Sequence, residues 1–280
     1  MIFAFEDEGR FEAGRPPLAR VVVALRYPIV AAFSTMPAIE PIQRVLSEKF
    51  PELRSGQVNQ FQVTVNASLA GTATSQQQQA PMPIWIFSGG PSEYQVIVSP
   101  GFTEISVGQA YKSREQFSEM LALVCNALLS AGTTLATCES VTVRYINAAQ
   151  MAEGWEDWFR PEVVGWIASH EVHARQKYSI SQTVLNDATV EIPDSDRTVA
   201  ANAVIRHGLV QGVGPDVLPQ GQGESFIIDC EITLPTPQPF ESDIILEVFR
   251  AYNREIARFF DYALAESGRK HFEIQRKAEA

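Results

Sequence analysis

The chain has 280 residues, 45% of them apolar and 10% aromatic, enough to bury a substantial core and too many for a disordered chain. Its formal net charge of −11 disfavours nonspecific association with nucleic-acid phosphates or anionic lipid and is compatible with a basic partner. No basic leader precedes an apolar run near Met1 and no uncharged stretch reaches membrane-spanning length, so the sequence predicts a cytoplasmic protein without a membrane span.

Residues 1–17 read as a loosely held lead-in, acidic and interrupted by Gly9, Gly14 and Pro16-Pro17. Leu18–Tyr27 is apolar and β-branched enough for a well-buried strand, which Pro28 ends. A helix is predicted over Ala38–Phe50, with Pro41 in its first turn, Ile42, Val45 and Leu46 in its stripe, and Pro51 as its stop. Phe61–Val65 alternates as a strand. Ser68–Pro83, with the glutamines Gln76–Gln79, reads as a solvated loop or hairpin tip. Ile84–Ser88, Tyr94–Ser99 and Glu104–Gly108 form a meander turned by Gly89-Gly90-Pro91 and Pro100-Gly101. Ser113 with Gln116 has the spacing of a capping box, opening a helix that runs to Ala131.

The second half repeats this order. Val141–Ile146 alternates as its first strand. Trp155–Ser169 is its first helix, with a break expected at Pro161. Tyr178–Leu185, Thr198–His207 and Ser225–Leu234 are three longer strands, the first two joined through Asn186-Asp187 and the last two through the Gly/Pro-rich Gly212–Gly223. The last helix is capped by Ser242 or Asp243 and carries Ile245, Val248, Phe249, Tyr252, Ile256 and Phe259 on one side. The charged tail after Gly268 is expected to fray.

Arg26-Tyr27 and Arg144-Tyr145 superimpose at a shift of 118 residues, and each half then reads strand, helix, several antiparallel strands, long helix. The expected fold class is α+β: two β-α-β-β-β-α repeats over 18–136 and 137–268, with a tail over 269–280. Their curved antiparallel sheets would pack on long helices in a helix-grip or TATA-binding-protein-like duplication. Such a likeness of element order carries no function.

The strand ending Leu25-Arg26-Tyr27-Pro28, the Trp85-Ile-Phe87 segment, Tyr111 with Phe117, the Val143-Arg144-Tyr145-Ile146-Asn147 strand and the late helix around Phe260 and Ala263–Glu266 give a family resemblance. The chain resembles a group of sporadically distributed bacterial proteins of unknown function. The resemblance implies no established activity. Patchy distribution suggests an accessory gene, such as toxin–antitoxin or phage-defence cargo.

No motif carries a catalytic constellation. His170-Glu-Val-His173 is spaced by three where a zinc-protease helix needs four, and Arg175 and Lys177 would oppose a bound cation. Gly208–Gly223 lacks the phosphate-loop signature and lies between strands, and no G-x-S-x-G elbow occurs. No cofactor is implied. Cys125, Cys138 and Cys230 lie far apart without a C-x-x-C pair and read as small buried hydrophobes in a reducing compartment. The candidate binding residues are Arg26 and Arg144 at matching places on the two opening strands, Asn147 beside them, Trp155 as a protein-interaction anchor if exposed, and His207. Two functions compete. One is a non-catalytic protein-binding or regulatory protein with a protein partner, a basic one being compatible with the charge. The other is a small-ligand binder or enzyme with a pocket between sheet and helix, lined by Trp85, Phe87 and Tyr145 with Arg144 or His207 pointing inward. Homo-oligomers are compatible with either, and DNA binding through the sheet is disfavoured because its strands hold few basic residues.

Overall fold

Val21, Val23, Leu25 and Tyr27 are buried and alternate with the less buried Val22, Ala24 and Arg26, and the same alternation at Val141, Val143 and Tyr145 makes a second strand of the same kind. In the computed structural model these two strands lie side by side at the middle of a large antiparallel sheet. The structure describes residues 2–3, 11–58, 61–68, 71–78, 81–89, 94–132, 135–151, 154–165, 179–193, 196–211 and 224–276.

In chain order the strands and helices are β1 (Phe11–Ala13), β2 (Leu18–Arg26), α1 (Met36–Leu46), β3 (Glu52–Val58), β4 (Phe61–Ser68), β5 (Gly71–Gln78), β6 (Met82–Ser88), β7 (Gln95–Val98), β8 (Phe102–Val107) and α2 (Arg114–Ser130). There follow β9 (Thr137–Cys138), β10 (Ser140–Gln150), α3 (Pro161–Val164), β11 (Ser179–Glu191), β12 (Thr198–Gln211), β13 (Glu224–Leu234), β14 (Gln238–Pro239), α4 (Ser242–Ala263), α5 (Glu266–His271) and β15 (Ile274–Arg276). The class is α+β. Nine strands form one antiparallel sheet in the order β11-β12-β13-β10-β2-β8-β7-β6-β3. Strands from the first part of the chain fan out on one side of β2, and those from the second part on the other side of β10. Ser140–Ile146 of β10 pairs in register with Arg26–Arg20 of β2, and the register slips between Ile146 and Asn147.

One face of the sheet is apolar and packs on the helices. Tyr27, Phe87, Phe117, Phe226, Phe249 and Tyr252 are fully buried there. Phe117 of α2 stacks on Phe249 of α4 with ring centroids 5.1 Å apart, which joins the two long helices over the sheet centre. Ser113 caps α2 by accepting from the Gln116 backbone N–H at 3.2 Å, one arm of the expected box. The Gln116 side-chain oxygen is buried and makes no reciprocal bond.

Several expectations need correction. The glutamine stretch through Gln78 belongs to a hairpin, one of the two expected forms, but lies in its second strand β5, paired with β4, and not at the tip. Glu52–Val58 is a strand although it has no apolar alternation, because it pairs with β6. The helix α1 starts at Met36, with Pro37 in its first turn and Pro41 inside it. Asn186-Asp187 does not join two strands. It is a bulge within β11, where the register to β12 shifts and Asp187 takes φ 57°. Trp155–Trp158 is a single 3-10 turn and Pro161 starts the separate short helix α3; 166–169 lie outside the described residues. The cap of α4 is Glu241, without a side-chain bond, and not Ser242 or Asp243.

The described residues near both ends of the chain are held against the fold, whereas the sequence predicts a loose lead-in and a fraying tail. β1 pairs with β15. The Ile2 and Phe3 backbone N–H groups donate to the buried Glu255 carboxylate at 3.0 and 3.4 Å, and Phe272 is buried in the tail. None of the described helices is long and apolar enough to cross a membrane.

Candidate functional site

The face of the sheet opposite the helices carries charge. On β10 the residue between the buried Val143 and Tyr145 is Arg144, and on β13 those flanking the buried Cys230 are Asp229 and Glu231. Strand alternation therefore sends these three side chains to the same side. Arg144 binds Asp229 with both arms of its fork, Nε to Oδ1 at 2.8 Å and Nη2 to Oδ2 at 2.7 Å. Its Nε also lies 3.9 Å from Glu231.

Arg206 of β12 reaches the same acids from the other side. Its Nη1 lies 3.2 Å from Asp229 and 3.3 Å from Glu231, and its Nε donates to Gln182 of β11 at 3.2 Å. Past the sheet centre, Arg20 of β2 donates to Glu104 at 3.4 Å and Ser106 at 3.0 Å, both on β8. Burial pushes the Glu104 carboxyl up, against the pull of Arg20, the Ser106 hydroxyl and the charge of Arg144. Hydrogen bonding to Asp229 raises the Arg144 guanidinium pKa, so this arginine is permanently charged.

The result is a ladder of mixed charge, Glu104–Arg20, Arg144–Asp229–Glu231 and Arg206, closed by Gln182, across six neighbouring strands. Asp229 at its centre is 4% exposed, whereas the Arg144 and Arg206 side chains keep 36% and 28% of their surface in contact with solvent. Three guanidinium groups face three carboxylates, so the ladder has no net charge to attract a phosphate backbone.

The structure separates the residues singled out from the sequence. Arg144 belongs to the ladder. Arg26 does not: it is exposed at the end of β2, paired with Ser140 and Phe102, and its carbonyl accepts from the Glu139 N–H at 2.7 Å. The matching places that the two arginines hold in the sequence therefore have different surroundings, Arg26 exposed and Arg144 partly buried. Asn147 is buried beside the register slip. Trp155 is buried against Phe226, with centroids 5.3 Å apart, so it is core and not an exposed anchor. His207 is half-buried and bonds to the Val163 backbone of α3; desolvation lowers its pKa in spite of that bond. His170, His173, Arg175, Lys177 and Gly212–Gly223 lie outside the described residues.

Tyr145 and Arg144 point to opposite faces of the sheet. The Tyr145 hydroxyl meets the Tyr111 hydroxyl at 3.1 Å and accepts from Asn253 Nδ2 at 2.7 Å. Phe87 is enclosed in the core, and the Trp85 indole N–H donates to the Phe33 carbonyl at 2.7 Å. Trp85, Phe87 and Tyr145 are thus each engaged in separate contacts among the described residues. A cleft of about 440 Å³ lies instead where the ends of β2, β8, β10 and β13 meet, lined by Leu18, Gln109, Tyr111, Gln150 and Ser225.

The three cysteines are free and buried, and burial pushes the Cys125 and Cys138 thiols up to about 12, so neither is a thiolate at neutral pH. Among the described residues no group of three or more His, Cys, Asp or Glu side chains could hold a metal ion.

Asp229, Glu231, Arg206, Arg20, Glu104 and Gln182 were not singled out from the sequence. The signal was the alternation Asp229-Cys230-Glu231 and the single arginine in the apolar run Leu18–Leu25. No protein-family model matches the chain, and no curated protein matches it.

Proposed function

We propose that this chain is a non-catalytic binding or regulatory protein that recognises another protein through the ladder-bearing face of its sheet. The observation that carries the reading is the ladder itself. Arg144 and Arg206 are fixed by the buried Asp229 yet still reach solvent, so their donors are preorganised for a partner without a further ordering cost. A balanced mixture of both signs favours a protein surface of complementary pattern over a uniform polyanion. The net charge of −11 adds long-range attraction for a basic partner.

Two further elements belong to the reading. The strand order, with β2 and β10 central and each half fanning outward, supports a duplicated unit of the TATA-binding-protein or helix-grip type. The resemblance to sporadically distributed bacterial proteins supports a cytoplasmic role in an accessory system, of the toxin–antitoxin or phage-defence kind.

The test is affinity purification from the native host with wild type and with Arg20→Glu/Arg206→Glu. A partner retained by wild type and lost by the folded variant is the expected result. A partner retained equally by both, or none with wild type, overturns the proposal.

A second reading rests on the cleft at Tyr111. Its volume suits a small ligand, and its side chains are neutral, so the ligand would be uncharged and hydrogen-bonding. Small-molecule turnover or saturable binding abolished by Tyr111→Ala would favour it over the first.

A further inference from the structure

The two edges of the nine-stranded sheet are guarded differently. At one edge β3 is seven residues long and places Glu52 and Arg54 on its exposed surface, paired at 2.8 Å. Charges and short length are the usual protection of a sheet edge. At the other edge β11 has thirteen residues, and its first seven, Ser179–Leu185, contain no charge, no proline and no glycine. The bulge at Asn186-Asp187 then turns the strand. Among the described residues β11 pairs only with β12, so its outer row of backbone groups faces no other strand.

The side chains of this segment are as unguarded as its backbone. Five large hydrophobic residues are exposed among the described residues, and two of them, Ile180 at 57% and Val184 at 50%, stand on this strand. They flank Gln182 at equal distance and project to the ladder side, opposite Gly208 and Val204 of β12. Antiparallel pairing of two such segments about Gln182 would set Ile180 of each copy opposite Val184 of the other and Gln182 opposite Gln182. The segment is thus self-complementary: apolar meets apolar, polar meets polar, and Asp187 and Glu191 fall outside the paired stretch.

We propose that Ser179–Leu185 is a homodimerisation edge, occupied by the same segment of a second copy of this chain in antiparallel register about Gln182. The proposal is independent of the ladder's role as a docking face. A seven-residue edge makes a small interface, which gives a weak, concentration-dependent dimer. Each copy carries a charge of −11, so the two repel, and salt that screens this repulsion tightens the dimer.

Sedimentation velocity over a range of protein concentrations tests the association, and a cysteine scan tests the register. Wild type should dimerise, with a dissociation constant several-fold lower at roughly 0.5 M than at roughly 0.05 M salt. Ile180→Lys/Val184→Lys sets lysine against lysine at both positions and should be monomeric. Ile180→Lys/Val184→Glu sets lysine against glutamate and should recover the dimer. Ile29→Lys, at an exposed residue away from this edge, should leave the dimer unchanged. The three native cysteines are buried, so Gln182→Cys adds one accessible thiol at the dyad and should give a disulfide-linked dimer with a mild oxidant, whereas Ile29→Cys should not. A monomer at every salt and concentration overturns the proposal. So does a dimer that survives the double lysine variant, or a Gln182→Cys chain that crosslinks only to a different protein.

Discussion

Asp229 is the most enclosed member of the ladder, and two arginines depend on it. Arg144 spends both fork nitrogens on its carboxylate and Arg206 a third contact. Removing the carboxylate leaves two guanidinium groups facing each other, with only Glu231 between them. Truncating one partner of a buried pair costs about 3–5 kcal/mol, and the partial exposure of both arginines lowers the figure for Asp229→Ala to about 2–3 kcal/mol. Urea unfolding should show this loss, with a smaller one for Asp229→Asn, which still accepts hydrogen bonds. A loss below about 0.5 kcal/mol, the scale of an ordinary surface change, would mean that the ladder is not held by this residue. The arginine half of this cluster was legible in part. Arg144 is conspicuous in an apolar strand, and a charge there needs a partner. The identity of that partner was not legible, because Asp229 lies 85 residues away and meets Arg144 only through the β10–β13 register. Arg26 misled for the converse reason: its neighbours in sequence match those of Arg144, but it stands exposed at a strand end, outside the ladder.

At the scale of elements, the close of the chain is locked by one approach of backbone to backbone. Gly268 of α5 sits against the Trp158 carbonyl, so closely that an added methyl would overlap the carbonyl oxygen. The Ala265 N–H donates to that same carbonyl at 2.9 Å, and the Trp158 ring stacks on His271 at 3.7 Å. Gly268→Ala must push α5 away from the turn at Trp155–Trp158, loosening β15 and its partner β1. Overpacking of this kind costs about 1–3 kcal/mol, and thermal unfolding should reveal it together with faster amide exchange in Ile274–Arg276. An unchanged melting temperature would show that α5 docks without help from this contact. Elements with a periodic apolar pattern, such as β2, β10, α2 and α4, could be read directly from the chain. The termini could not, because β1 and β15 stabilise each other across almost the full length of the sequence and each is only three residues long. β3 was hidden similarly: Glu-Leu-Arg-Ser-Gly-Gln-Val has no alternation, and only its pairing with β6 makes it a strand.

For the whole molecule, the seam between 136 and 137 is the decisive feature. It separates the first part of the sequence from the second, and in space the boundary runs between β2 and β10, the middle pair of the sheet. The halves also meet above the sheet, where Phe117 stacks on Phe249 and Tyr145 joins Tyr111 to Asn253. Neither half could unfold without exposing the inner edge and the apolar face of the other, so the hydrophobic cluster that spans both should be lost in one step. The tryptophans allow a direct check. Trp85 lies in the first half, and Trp155, Trp158 and Trp166 in the second. In Trp85→Phe, tryptophan fluorescence reports the second half alone while far-ultraviolet circular dichroism reports both. The two urea curves should coincide in midpoint and slope. A fluorescence transition displaced from the dichroism curve would show that the halves unfold separately, and the central β2–β10 pair would then be a contact between two domains and not the spine of one.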